Sequence, residues 1–435
     1  MREKGRKVLG VALSVCMTAS MAYAVPAAAA ETKTINLNEQ ACYLRTKGDI
    51  VKAFSQAVPQ DYDAAFFAEE GSAHAPYKEF TMTDIAKENA VRVANYYRWL
   101  EGLSGFESAS ADAWSRAAKG SVLIERNIEL TKELSHYPEK PADMDEAFYR
   151  DGYAATSSSN IAYGFGASQR ALLGLTRGFL NDEGFTVPGH RNTFMTRNGV
   201  SFAAGYSKKC AVNTIVYTDD PNPQGESVVG NNNPAYAWPT PGYFPEEDIS
   251  TKAVWTINLN TDAVRPASDT YTVTITDMGT GEKFVRNSTA TGLDDSPYWG
   301  RYICFKSPDA DSYSGKSYKV EVSDMVDAAR NPVNFEYTVN FFSYEDEVEI
   351  DGATYTSDAY GRLTRTSAPA YLLGDVTGDG KVDVQDVTAM QRIIAEMNVP
   401  DERTIKAADI DKDGTVSVSD ATLLQRYLAE FTVEL

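Results

Sequence analysis

The sequence predicts a multidomain fold: an α-β-α layered domain, then a β-sandwich, then a small all-α module built on a duplicated acidic loop. Three observations lead there. At 435 residues the chain is long enough for two or three domains. Its apolar periodicity is helical in the first half and alternates from about residue 251 onward. Near the C-terminus an Asp-rich segment recurs at an offset of 34 residues.

Composition narrows the function. With 41 Lys and Arg against 61 Asp and Glu the formal charge is −20, which disfavours nucleic acid as a partner because phosphate recognition rests on basic side chains. A 43% hydrophobic content supplies packed cores and argues against a wholly disordered acidic chain. Arg2, Lys4, Arg6 and Lys7 precede the apolar run 8–15 and the small-residue stretch 19–30, the order of a secretory signal peptide over residues 1–30. The cut is expected at Ala22-Tyr23-Ala24 or within 27–30. No later segment reaches the ~20 apolar residues of a membrane span, so a secreted protein is expected. Cys16 leaves with the signal. Cys42, Cys210 and Cys304 then allow at most one bridge, and with no Cys-x-x-Cys they read as small buried hydrophobes.

After an extension over 31–80, helical spacing runs through Ile85, Ala90, Val93, Tyr96, Tyr97 and Leu100. Further helices are predicted over 109–130 and 168–181, with strand-like sequence over 199–206. Helices followed by strands in this order suggest the layered domain, taken as 81–220. Two of the three histidines, His136 and His190, lie within it; a third, His74, has no motif around it and reads as surface. Two neutral imidazoles plus a carboxylate suit a metal site with an open position, or general-base chemistry.

An ordered series of short motifs accompanies those histidines: Asn95-Tyr96-Tyr97-Arg98, Gly102-Leu103, Leu134-Ser135-His136-Tyr137-Pro138, Asn160-Ile161-Ala162-Tyr163-Gly164, Gly189-His190-Arg191-Asn192 and Gly199-Val200-Ser201-Phe202-Ala203. The series resembles the CAP superfamily, the group of cysteine-rich secretory, antigen 5 and pathogenesis-related proteins, in its bacterial form. The resemblance implies that His136 and His190 face a central cleft as its catalytic or binding residues, with acidic partners and in some members a divalent metal. It implies a cell-wall, glycan or lipophilic ligand, or a hydrolase acting on peptide or glycan. The Glu expected before Asn160 is Ser159, which removes one carboxylate. Asp182 and Glu183 are the candidates for the other.

A proline-rich connector is read over 221–250. Strands are then predicted near 253–259, 271–276, 283–285, 301–305, 318–322 and 335–341, with a turn at Met278-Gly279-Thr280-Gly281. Six short strands over 251–345 suggest an immunoglobulin-like sandwich. Tyr298, Trp299 and Tyr302 read as an inward-facing core or, less favoured, as a sugar-stacking platform. A hairpin and linker around Gly352 and Gly361 occupy 346–370.

The last segment, 371–435, carries the most specific signal. Calcium takes six to eight oxygens, and a twelve-residue loop supplies them from positions 1, 3, 5, 7, 9 and 12 with Gly at 6. Loop one offers Asp375, Thr377, Asp379, the Lys381 carbonyl, Asp383 and Asp386 around Gly380. Loop two offers Asp409, Asp411, Asp413, the Thr415 carbonyl, Ser417 and Asp420 around Gly414. Thr377 puts a neutral hydroxyl at position 3, so loop one is expected to be the less regular of two calcium sites, partly compensated by the carboxylate of Asp383. One amphipathic helix follows each loop and no entering helix is expected before either. This duplicated loop-plus-helix resembles the type I dockerin module of cellulosomal proteins. The resemblance implies a cohesin partner on a scaffoldin or cell-surface protein, in a polysaccharide-degrading or cell-surface context. It also implies a cohesin-facing surface made of Val384, Gln385, Gln391 and Arg392 with their repeats Val418, Ser419, Gln425 and Arg426.

Overall fold

The computed structural model describes residues 32–429 apart from 198, 218–232, 262, 269–270, 288–293, 297–299 and 367–370. The expected signal peptide, the first part of the connector, Tyr298 and Trp299 lie outside the described residues. The chain is multidomain, with several sheets and nine named α-helices among the described residues.

Helix α1 (Lys47–Ala57) opens on a capping box between Thr46 and Asp49 and buries Ile50, Val51 and Phe54. Helix α2 (Asp84–Glu101) starts at the Thr83 cap and stops at Gly102, which takes a left-handed φ of 88°. Helices α3 (Ala111–Thr131), α4 (Glu146–Thr156), α5 (Gln169–Asn181) and α6 (Gly189–Phe194) follow. They pack around a sheet whose strands run Glu107–Ser108, Gly199–Tyr206, Cys210–Tyr217 and Asn160–Tyr163 across it. Ala117 and Ile124 of α3 and Ala155 of α4 close over Ile161, Cys210 and Val212. Gly205 is where α3 touches the sheet: a Cβ there would lie 2.0 Å from the Ala117 carbonyl carbon. Residues of α2 and α5 join Phe202, Ala211 and Ile215 in a second, larger core.

That larger core continues into two further sheets. One has Lys33–Asn36, Pro332–Phe342, Ser317–Asp327, Thr272–Asp277 and Lys283–Asn287 in order; Val264–Pro266 and Gly242–Pro245 pair at its sides. The other runs Asp294–Ser296, Gly300–Phe305, Trp255–Leu259 and Ala235–Trp238. Trp255 of the second sheet meets Tyr318 and Phe341 of the first at 5.7 and 6.1 Å between ring centroids. Tyr302 is fully buried, so it is a core residue and not part of a sugar platform.

One strand from the expected extension and one from the expected connector are built into these sheets. Lys33–Asn36 pairs in parallel with Val333–Glu336. Within the expected connector, Ala235–Trp238 is wholly buried and pairs with the strand Trp255–Leu259. The reason is apolar content: Tyr236 and Trp238 outweigh the neighbouring prolines, which fall beyond the paired residues. A buried polar group then ties the helices to the strands. Asp248 accepts from Tyr97 Oη (2.9 Å), Tyr344 Oη (2.5 Å) and Arg177 Nε (2.7 Å). The three cysteines among the described residues are free, Cys210 and Cys304 being buried.

The C-terminal part has its own small core of Val376, Val387, Met390, Ala408, Ile410, Ala421 and Leu424. It is formed by α7 (Val384–Ile394), α8 (Glu402–Ala408) and α9 (Val418–Leu428). Helix α8 corrects the sequence reading, because it leads directly into loop two. It forms because Asp401 caps it through Thr404 N and Ala407 and Ala408 are buried. No helix among the described residues is long and apolar enough to cross a membrane.

Candidate functional sites: the paired acidic loops and a two-histidine cleft

Each acidic loop closes on its own first and last carboxylates. In loop two, Asp409 accepts from the backbone N–H of Asp413 (3.1 Å) and Gly414 (3.0 Å). Asp420 accepts from Ile410 N, Asp411 N and Ser417 N at 2.7, 3.1 and 2.8 Å. Asp420 is also residue N3 of α9 in a capping box with Ser417, so the same carboxylate orders the loop and starts the helix. The carboxylates of Asp409, Asp411 and Asp413 offer oxygens within 4.8 Å of one another. An all-oxygen cluster of that size suits a hard divalent cation such as calcium.

Loop one repeats the plan with differences. Asp375 is buried and accepts from Gly378 N, Asp379 N and Gly380 N at 2.8 to 3.1 Å. Burial raises its carboxyl pKa, but those N–H donors and the nearby Arg403 charge outweigh it and hold the group below the usual range. Thr377 Oγ1 donates to Asp386 Oδ1 at 2.9 Å. Asp383 caps α7 through Gln385 N, and Asp386 completes that capping box. The Arg403 guanidinium reaches in from α8, donating to Asp375 Oδ2 at 3.2 Å and to the Val376 carbonyl at 3.3 Å.

The helices after the loops carry matching exposed residues. Val384, Gln385, Gln391 and Arg392 on α7, and Val418, Ser419, Gln425 and Arg426 on α9, are all exposed. Val384 and Val418 are 70% and 67% exposed and hold the same place in the two repeats.

The second site is a cavity of about 570 Å³ lined by His136, Tyr137, Ser158, Asp182, Phe185 and His190, among others. Asp182 caps the end of α5 with a left-handed φ of 45°, and from there holds His190 twice: Oδ1 lies 2.6 Å from Nδ1, and Oδ2 accepts the backbone N–H at 2.8 Å. His136 Nδ1 lies 2.8 Å from the Thr156 carbonyl. A carbonyl only accepts, so His136 Nδ1 is the donor to Thr156, and the 2.6 Å contact holds the His190 ring by its Nδ1 against Asp182, which leaves the Nε2 atom of each ring free of those two contacts. Of the two candidate acids, Asp182 reaches the cavity, whereas Glu183 pairs with Lys252 at 3.4 Å. Ser159 is buried against the Thr214 hydroxyl at 2.8 Å, where it takes the place of the expected Glu without its charge. The divalent metal expected here lacks a three-ligand cradle, because Asp409, Asp411 and Asp413 are the only such His, Cys, Asp or Glu group among the described residues. His74 is exposed and pairs with Glu129 at 3.0 Å.

Sequence reasoning missed Arg403 and the Thr156 carbonyl. The Asp401 cap with Glu402 in the first turn would have signalled α8, and so Arg403, but no sequence signal marks a carbonyl contact.

Residues 373–429 match the family model described as the Dockerin type I domain. No curated protein matches the chain. The matched segment contains both loops and all three C-terminal helices. Dockerin domains bind calcium and dock on cohesins in cellulosome-type assemblies, and the acidic cluster of loop two is compatible with that.

Proposed function

We propose that this is a secreted cellulosome-type component that docks, through calcium-loaded residues 371–435, on a cohesin of a scaffoldin or cell-surface protein. In this reading loop two holds calcium through Asp409, Asp411, Asp413, Thr415, Ser417 and Asp420, and loop one through Asp375, Thr377, Asp379, Lys381, Asp383 and Asp386. The observation that carries it is the repeated loop whose last carboxylate also caps the following helix, with an exposed valine at the same place in each repeat. Calcium would neutralise the loop carboxylates and fix the helix starts, so metal binding and cohesin affinity are coupled. The test is a binding titration with cohesin using Val384→Asp, Val418→Asp and the double variant. Two equivalent faces make each single variant mild and the double variant severe; full affinity in the double variant contradicts the proposed face.

The docked cargo is read as a CAP-like domain followed by an immunoglobulin-like sandwich. Helices on both faces of a four-stranded sheet, and a cleft bordered by His136 and His190, support that reading. A second reading, a peptide or glycan hydrolase, is favoured by the Asp182–His190 pair, which would orient and strengthen a general base. His190→Ala that abolished turnover of a wall-peptide and glycan panel, with docking intact, would establish it. Turnover unchanged in His190→Ala and His136→Ala would remove it.

A further inference from the structure

The two loops differ in one charge. Asp409, at position 1 of loop two, has no lysine or arginine paired with it among the described residues; Lys412 of that loop turns outward to Asp351 at 3.1 Å. Asp375, at position 1 of loop one, pairs with Arg403. The guanidinium fits closely: a Cβ on Gly378 would stand 3.1 Å from Arg403 Nη1. No counterpart of Arg403 exists in the first repeat, because the position 34 residues earlier is Pro369. Arg403 also sits on α8, whose last residue, Ala408, adjoins Asp409, so one side chain spans from the first loop to the helix that enters the second. The neutral Thr377 at position 3 is offset by Asp383 at position 9, where loop two has Ser417, so each loop offers four carboxylates and Arg403 is the charge that sets them apart.

We propose that Arg403 is the resident counter-ion of loop one: it holds Asp375 before calcium arrives, opposes calcium entry there, and so makes the loops fill in order, loop two first. This rests on the calcium-docking reading above. A guanidinium donating to a ligand carboxylate places a positive charge within several ångströms of the entering dication. Asp375 is buried and Arg403 only partly exposed, so water screens the charges in part, and the repulsion is worth about tenfold in affinity or more. The arrangement gives the module a calcium range in which one loop is loaded and the other is still closed by arginine.

The test is calorimetric calcium titration of the full chain at low ionic strength. The unmodified protein is expected to take up calcium in a tight and a weak step, and Asp411→Asn should remove the tight one. Arg403→Gln is expected to tighten the weak step about tenfold or more and leave the tight step in place. A purely structural role for Arg403 gives the opposite sign, a weaker second step. An unmoved or weakened second step in Arg403→Gln overturns the proposal while the calcium reading stands. No calcium uptake by the unmodified protein overturns both. Should Arg403→Gln fail to fold, the unmodified protein at about 0.05 and about 0.5 M KCl serves instead, because salt screens the guanidinium. The gap between the steps is expected to narrow; a constant or wider gap contradicts the proposal.

Discussion

Asp182, Glu101 and Arg403 show how differently a single acidic or basic residue can be read. Asp182 and Glu183 are adjacent acids, and the sequence does not separate them because they differ only in how α5 ends. The left-handed turn at Asp182 points that carboxylate back at His190 and sends Glu183 to solvent. Glu101 carried no sequence signal at all. It is fully buried at the end of α2, with Asn258 3.4 Å from one oxygen, and burial pushes its carboxyl up to about 8 against the opposing pull of Arg98 and Arg191. The folded state therefore keeps a proton that the unfolded chain releases near its ordinary value of 4.5. Stability from this group is complete below that value and is lost as pH rises through about 8, at up to about 1.4 kcal/mol per pH unit. Denaturant unfolding at acidic and mildly alkaline pH should show that slope in the unmodified protein and a flatter one in Glu101→Gln. Equal slopes would show that Glu101 is charged in the folded protein.

Among the elements, large periodic apolar residues make α2, α3 and α5 legible, but not α1, whose Ile50, Val51 and Phe54 fall in the segment read as an extension. Helices α2, α3 and α5 follow Val93, Tyr97, Leu123 and Leu172-type spacing and were read to within a few residues. Helix α4 escaped because its buried positions are Gly152, Ala155 and Thr156, which carry almost no hydrophobic signal. It nevertheless packs closely on α3, with Gly152 against the Lys119 carbonyl. Contact of helix on strand at Gly205 belongs to the same scale. A methyl there has no room to relax, because its neighbours are backbone atoms of α3. Gly205→Ala should cost roughly 3 kcal/mol in denaturant unfolding of the main body. A cost below about 1 kcal/mol would mean that α3 can move away from the sheet without penalty.

At the scale of the whole molecule, the acidic module and the rest of the chain answer to different forces. The module's core is small, and its loops are ordered by their own carboxylates, which accept from backbone N–H groups. The loops are legible in the sequence because all the proposed ligands of a site fall within twelve consecutive positions. The larger body is held by one core shared between the helical layers and the sheets, and by Asp248, which gathers Tyr97, Tyr344 and Arg177 from distant parts of the chain. No local pattern announces such a group, since its partners lie 71 to 151 residues away. Asp248→Ala leaves Arg177 without its buried partner, at a cost of about 3 to 5 kcal/mol to the body. The calcium-dependent transition of residues 371–435 should stay where it was; joint loss of both would mean that the module relies on the body for its fold.

Calcium-dependent docking through the C-terminal module, as proposed above, is tested by the affinity of the full chain for type I cohesins with calcium and with a chelator. Binding in calcium, lost on chelation and restored by added calcium, is the expected result. Binding that survives chelation, or no binding to any type I cohesin in saturating calcium, would contradict it.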